Sequence, residues 1–212
     1  MGQKVNPRAA RLSLTHNWSS KWFARDDKKY REFLIEDFQI RKLIMEKLRN
    51  SGISRVLIER PVGKIKITIQ VSRPGMVIGR GGSGVEELRK ITEEKIGKKV
   101  SLDIQEIKQF DLDAYLVARG IADQIEKRYP VKRAMIQGVA RVMRAGALGV
   151  KIICSGRLGG AEIARREKVA DGSIPTSTLR ANIDFAKVDA KTLTAGIVGV
   201  KVWIHKKQEL KE

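Results

Sequence analysis

The chain is poor in acidic residues. Its 212 residues carry 43 Lys and Arg against 24 Asp and Glu, a formal net charge of +19. A protein this basic repels itself unless an acidic partner neutralises it, and nucleic acid is the commonest such partner. Cysteine is nearly absent as well. Cys154 stands alone, which excludes an internal disulfide and a cysteine zinc cluster. It lies in the apolar run "VKIICSG" and reads as a small buried hydrophobe, because a nucleophilic thiol needs a basic partner. His16 and His205 are the two histidines, far apart, with no cluster that suggests a metal. Aromatic residues total 5%, so Trp18, Trp22 and Trp203 read mainly as packing anchors and only secondarily as base-stacking platforms. No apolar run reaches the ~18 residues of a membrane span. The basic opening "MGQKVNPRAARLSL" has no apolar stretch long enough for a signal peptide. A cytoplasmic chain without metal, cofactor or membrane partner is expected.

What the chain has in excess is unevenly placed. Residues 1–31 carry eight basic and two acidic groups, residues 32–107 carry 15 and 11, and residues 108–212 carry 20 and 11. From Lys127 to Ala161 there is no Asp or Glu, yet Lys127, Arg128, Lys132, Arg133, Arg141, Arg144, Lys151 and Arg157 all fall there. Such a gap suits a phosphate-rich neighbour.

Periodicity supplies the elements. Phe33, Leu34, Phe38, Leu43, Ile44, Met45 and Leu48 recur three and four apart, predicting helix from about Asp26 to Asn50, ended by Ser51-Gly52. "SRVLIERP" and "GKIKITIQVS" read as a hairpin turning at Pro61-Val62-Gly63, the second strand alternating lysines and polar residues with Ile65, Ile67, Ile69 and Val71. A helix is predicted from Ser83 to Ile96, closed by Gly97, and then a third alternating strand, "KKVSLDIQEI". After a boundary near residues 107–111 come two further helices, split at Pro130. The second places Val131, Ala134, Met135, Gly138, Val139, Val142 and Met143 on one stripe and Arg133, Gln137, Arg141 and Arg144 opposite. Three strand-like runs follow: "GVKIICSGR", "TLRANIDFAKV" and "AGIVGVKVWIHK". The whole is an α+β chain of two domains.

Between the second strand and the Ser83 helix lies "VIGRGGSGVEELRK", which fits two motifs. From Gly79 it spells Gly-x-Gly-x-x-Gly, the dinucleotide fingerprint, and Asp103 falls about 20 residues on. That fingerprint needs a buried strand running straight into the first glycine. Pro74-Gly75 leaves only Met76, Val77 and Ile78 for it, and the strand before has one wet face. The same letters spell Ile78-Gly79-Arg80-Gly81-Gly82, the loop with which KH domains clamp a nucleic-acid backbone. Glycines allow the backbone close, Arg80 adds a cation, and the next helix offers free N–H groups at its start. The order α-β-β-loop-α-β is that of a type II KH domain.

The opening "MGQKVNP", the strand "SRVLIERP", the loop "RPGMVIGRGG", and "SGRLGGAEIARRE" with "GVKVWI" occur together and in order. In these the chain resembles the family of bacterial small-subunit ribosomal protein three, from residue 1 to about 206. The resemblance implies residues 1–38 as a basic arm and start of the first helix, 39–107 as a type II KH domain with a three-stranded sheet, 108–206 as an α+β ribosomal domain with a mainly antiparallel sheet, and 207–212 as a short tail. It implies no enzyme. The implied role is structural, in the head of the small subunit, binding ribosomal RNA beside small-subunit proteins ten and fourteen. It also implies a place at the entrance where messenger RNA is threaded and unwound. The family's basic cluster at that entrance falls on Lys132 and Arg133, while its third position is Ile136, a departure that Arg144 could offset. The expected RNA contacts are Ile78, Gly79, Arg80, Gly81 and Gly82 in the loop, then Lys132, Arg133, Arg141 and Arg144. Further basic contacts are expected at Lys4, Arg8, Arg11, Arg157, Arg165 and Arg166. Two rivals are a free-standing KH factor of RNA processing or decay and, more remotely, a nucleotide-dependent enzyme using residues 79–84.

Overall fold

The computed structural model describes residues 5–61, 64–193 and 196–207, without the side chains of Asn50 and Arg80. The chain forms two compact units. Residues 18–108 make one, and residues 5–17 join residues 109–207 in the other.

The first unit begins with β1 (Ser20–Lys21) and α1 (Asp27–Lys47). Ile40, Leu43, Ile44 and Leu48 turn the apolar side of α1 into the core, as their three-and-four spacing requires. A short 3-10 turn, Arg49–Ser51, and Gly52 at φ 67° end the segment. The strands β2 (Ile53–Glu59) and β3 (Ile65–Val71) pair antiparallel, with Val56 opposite Ile69 and Ile58 opposite Ile67. Val62 and Gly63 of the expected turn lie outside the described residues. Ile65, Ile67, Ile69 and Val71 are buried, so the period-two pattern marks the core face. The expected wet face is exposed only at Lys64 and Lys66, since Thr68 is buried and Gln70 half-buried. After β3 come α2 (Pro74–Ile78), α3 (Ser83–Ile96) and β4 (Val100–Glu106), which pairs parallel to β3. The sheet order is β1-β2-β3-β4. Three strands were expected; β1 is a fourth, laid parallel to β2 with Ser20 opposite Ile58. Two residues are too few to carry a period, which is why it is invisible in the sequence.

A polar knot fastens the open end of this unit. Arg60 reaches Asp37 at 2.5 Å and Glu36 at 2.6 Å. Lys98 meets Glu36 at 2.5 Å. Trp22 Nε1 and Ser20 Oγ both donate to Asp37 Oδ2, at 2.8 and 2.9 Å. The Arg60 guanidinium lies 4.5 Å from the centre of the Phe33 ring, which Trp22 meets edge-on. Trp22 is thus a packing anchor, as expected. Trp18 is not, being 63% exposed.

The second unit carries α4 (Ala114–Glu126), α5 (Val131–Arg144), β5 (Gly149–Gly156), β6 (Arg165–Gly172), β7 (Ile183–Thr192) and β8 (Gly196–His205). Asp113 caps α4, its Oδ1 accepting from the N–H groups of Tyr115 and Leu116 at 3.0 and 3.1 Å. The sheet order is β6-β5-β8-β7, every pair antiparallel. Val198, Val200, Val202 and Ile204 of β8 face the core that Ile121, Ala134, Met135 and Val142 fill from the helices. Gly138 makes the helix packing possible, since a Cβ there would stand 3.0 Å from Ile121 Cδ1. Cys154 belongs to this core. Burial, with some help from the Glu167 charge, pushes its thiol up to about 12, so it is a packing group. Trp203 packs against Phe185, ring centres 5.0 Å apart.

Where three strand runs were expected after α5, four strands form. The extra one, β6, starts at the end of "SGRLGGAEIARRE", a stretch without apolar alternation. It is an edge strand with few half-buried positions, Glu167 and Val169 among them. Its charges, which guard an open edge, hide it from a search for apolar alternation.

Candidate nucleic-acid interface

The glycine loop sits between α2 and α3. Seven residues separate the end of β3 from Gly79, and α2 occupies most of them. No strand runs into the glycines, so the dinucleotide spelling has no structural counterpart. Gly79, Gly81 and Gly82 adopt φ of 69°, 62° and 86°, a region that disfavours any side chain. At Gly81 and Gly82 an added Cβ would meet nothing within 4 Å, so the space before the loop is open. Gly84 has a different reason. A Cβ there would stand 2.5 Å from the Val77 carbonyl oxygen, so the backbones of α2 and α3 touch at that point. In the sequence Gly84 stands out only as the last glycine of the dinucleotide spelling. No side chain caps α3, whose N-cap is Gly82, which leaves its first turn facing the loop. Ile78 is 41% exposed beside it, while Val77 is buried. The Arg80 side chain lies outside what the structure describes.

In the second unit the helix period works as predicted. Lys132, Arg133, Arg141 and Arg144 are all exposed on the face of α5 opposite its buried stripe. Among the described residues none of the four pairs with a carboxylate. The Arg133 guanidinium lies 5.6 Å from the centre of the Tyr129 ring. Ile136 shares this face at 51% exposure.

At the N-terminal end of α5 the structure joins residues the sequence keeps apart. Arg128, Tyr129 and Lys132 from the helix corner, Arg157 and Leu158 from the 3-10 turn after β5, and Arg165 from the start of β6 surround a groove of about 500 Å3. Glu167 is the one carboxylate in its wall, 3.4 Å from Arg165. Arg157 is steadied by a 2.9 Å hydrogen bond from its Nε to the Ala161 carbonyl. Arg128 was not among the expected contacts. Its signal is in the backbone: it and Ser13 are the non-glycine residues described at positive φ, here 63°. Arg166 is exposed on β6 but does not line the groove.

The arm departs most from expectation. Lys4 lies outside the described residues. Arg8 is half-buried, its N–H donating to Asn6 Oδ1. Arg11 was expected to bind RNA, but its side chain is turned inward. It is 0% exposed and its guanidinium is spent on carbonyl oxygens: Pro7 at 2.9 Å, Ala181 at 2.8 Å, Thr176 at 3.0 Å and Thr178 at 2.9 Å. His16 Nε2 lies 3.0 Å from the Ile183 carbonyl, so residues 5–17 are part of the second unit rather than an arm reaching outward. Partners some 165 residues away leave no local trace of this.

No helix of the described residues is long and apolar enough to cross a membrane, and among them no His, Cys, Asp and Glu cluster could hold a metal.

Comparison with known proteins agrees with this division. A KH domain profile matches residues 39–112, and the profile described as ribosomal protein S3, C-terminal domain, matches residues 121–204. Small ribosomal subunit protein uS3 of Carboxydothermus hydrogenoformans is 52% identical over 212 residues, covering all of this chain and 95% of the relative. The proteins of that name from Desulfitobacterium hafniense and Caldicellulosiruptor saccharolyticus are 50% and 54% identical, over 99% and 97% of this chain and 94% and 92% of theirs. With two units that match the two profiles in order, and relatives at about half identity from end to end, the chain belongs to the uS3 family of small ribosomal subunit proteins.

Proposed function

We propose that the protein works in the cytoplasm as a structural constituent of the small ribosomal subunit head, binding ribosomal RNA and lining the entrance taken by messenger RNA. It is a ribosomal protein, not an enzyme. The observation that carries the messenger reading is the α5 face. Four cations stand exposed and unpaired there, in a stretch of 35 residues without an acidic group. A run of fixed positive charge attracts a passing phosphate backbone without reading its sequence, as a component that must admit every message requires. Lys132 and Arg133 are the contacts nearest the helix start, with Arg141 and Arg144 about two to three turns on. Ribosomal RNA is held by the glycine loop, Ile78 to Gly82, and by Arg157, Arg165 and Arg166.

Protein neighbours, small-subunit proteins ten and fourteen, are supported by a different surface. On α1 the side chains of Tyr30, Leu34, Ile35 and Phe38 are each at least half exposed. An apolar stripe of this kind gains little against RNA and much against another protein.

The test is translation by subunits carrying Lys132→Ala and Arg133→Ala, on messages with and without a stable hairpin. The variant is expected to slow on the hairpin and to keep pace on the open message. Equal slowing on both would make the face a structural contact only.

A further inference from the structure

The groove at the start of α5 is more than an extension of the basic face, because it is concave and part of its lining is not charged. Tyr129 and Leu158 line it together with Arg128, Lys132, Arg157 and Arg165. Leu158 is 2% exposed and forms floor, while Arg157 and Arg165 are exposed at the mouth. A duplex is a wide, stiff rod with its phosphates on the outside, so a site for its backbone would be broad and shallow and a pocket of single-base size would stay unfilled. A volume of about 500 Å3 with an apolar floor and a cationic mouth suits one unstacked base with its phosphate.

Three further features point the same way. Gly159 and Gly160, at φ 69° and 84°, would place a Cβ against nothing within 4 Å, so the turn leaves open space beside it. No side chain caps α5, whose N-cap is Pro130, also in the wall of the groove, so the first-turn N–H groups and the positive end of the helix dipole add to the cations. Arg128 keeps a left-handed backbone that glycine would adopt at lower cost, which makes sense where its side chain is wanted in the wall.

We infer that this groove is a receptor for a single flipped-out nucleotide of RNA, its base lying against Tyr129 and Leu158 and its phosphate held between Arg157, Arg165 and Lys132. The inference rests on the RNA-binding reading above but concerns a second site, at the end of α5 rather than along its outer face. It names single-stranded RNA as the class of ligand and excludes an uninterrupted duplex.

The experiment uses the full chain and uridine monophosphate, followed by the side-chain resonances of Tyr129 and the amide resonances of Arg128, Val131 and Lys132, with inorganic phosphate as the control. The nucleotide is expected to shift both sets, and phosphate at equal concentration to shift the amides alone. Arg157→Ala and Arg165→Ala should each weaken the effect by about tenfold, as the loss of one charge-assisted contact predicts, with the unperturbed spectrum showing that each variant is folded. Phosphate alone reproducing the Tyr129 shift would overturn the inference in favour of a bare anion site. Shifts that survive both substitutions, or that appear at Arg141 and Arg144 instead, would also overturn it. The hairpin assay on Lys132→Ala and Arg133→Ala can fail while Tyr129 still responds, which would remove the messenger reading and leave the groove standing; the reverse result removes only the groove.

Discussion

The Arg11 guanidinium donates from one nitrogen to the carbonyl oxygens of both Thr176 and Thr178, at 3.0 and 2.9 Å, across more than 160 residues of sequence. With Pro7, Ala181 and, at 3.5 Å, Pro175 also accepting, the planar fork gathers five carbonyls. Burial holds its pKa below the ordinary arginine value. Replacing Arg11 with Ala should cost about 2–4 kcal/mol, because the buried carbonyls lose a charged donor. Lys restores the charge but not the fork, so Arg11→Lys should recover less than half of that loss. Urea unfolding of the full chain checks both. An Arg11→Lys variant as stable as the parent would show that charge alone matters here.

Arg11 also marks the limit of what the sequence reveals. Elements with a strong period are legible: the Ser83–Ile96 helix, the core face of the alternating β3, and α5 with its two faces. Each is a local consequence of burying one side. The two-residue β1 and the charged edge strand β6 have no such period, so only pairing with a neighbour reveals them. Site residues divide the same way. Lys132, Arg133, Arg141 and Arg144 share a face because 3.6 residues make a turn. Arg157, Arg165 and Arg128 meet only because β5, β6 and the α4–α5 corner are brought together by the fold. A basic residue in a basic arm looks like an RNA contact until its acceptors, folded back from residues 175–181, are in view.

Glu36 gives the first unit a defined acid response. Desolvation acts to raise its pKa, but the hydrogen bonds and charges of Lys98 and Arg60 outweigh it and hold the carboxyl below the ordinary 4.5. A carboxyl depressed in the folded state contributes stability that is complete above the unfolded value and is lost as pH falls through the folded one. Thermal unfolding of the full chain should therefore shift down from about pH 5. Glu36→Gln should be less stable near neutrality and show a flatter curve over that range. An unchanged slope in the variant would assign the acid response to other groups.

At Arg128 stability and binding should move in opposite directions. A left-handed backbone costs an ordinary L-residue about 1–2 kcal/mol, against the ~0.5–1 kcal/mol of extra chain entropy that glycine loses on folding. Arg128→Gly is therefore expected to leave the unfolding free energy unchanged or raise it by up to about 1 kcal/mol. The same change removes a cation from the groove wall, so single-stranded RNA should bind more weakly, with a shallower salt dependence. Denaturation and fluorescence anisotropy on one preparation measure both quantities. Destabilisation together with unchanged RNA binding would mean that the Arg128 side chain serves the fold.

Ile136 offers the converse test, a gain of function on the α5 face. It stands 51% exposed, one turn beyond Lys132 and Arg133, where a helix can exchange an apolar for a basic residue without touching the core. Lys has a slightly better helix propensity than Ile. Repulsion from the two cations three and four residues back costs about 0.2–0.5 kcal/mol each. Ile136→Lys should then fold with less than about 1 kcal/mol lost. If a single strand runs along this face, one more phosphate contact should steepen the slope of log affinity against log salt by about 0.7 and tighten binding most at low salt. A strand held elsewhere, for example only in the groove at the helix start, would leave that slope where it was. The measurement therefore separates the outer face of α5 from its N-terminal end.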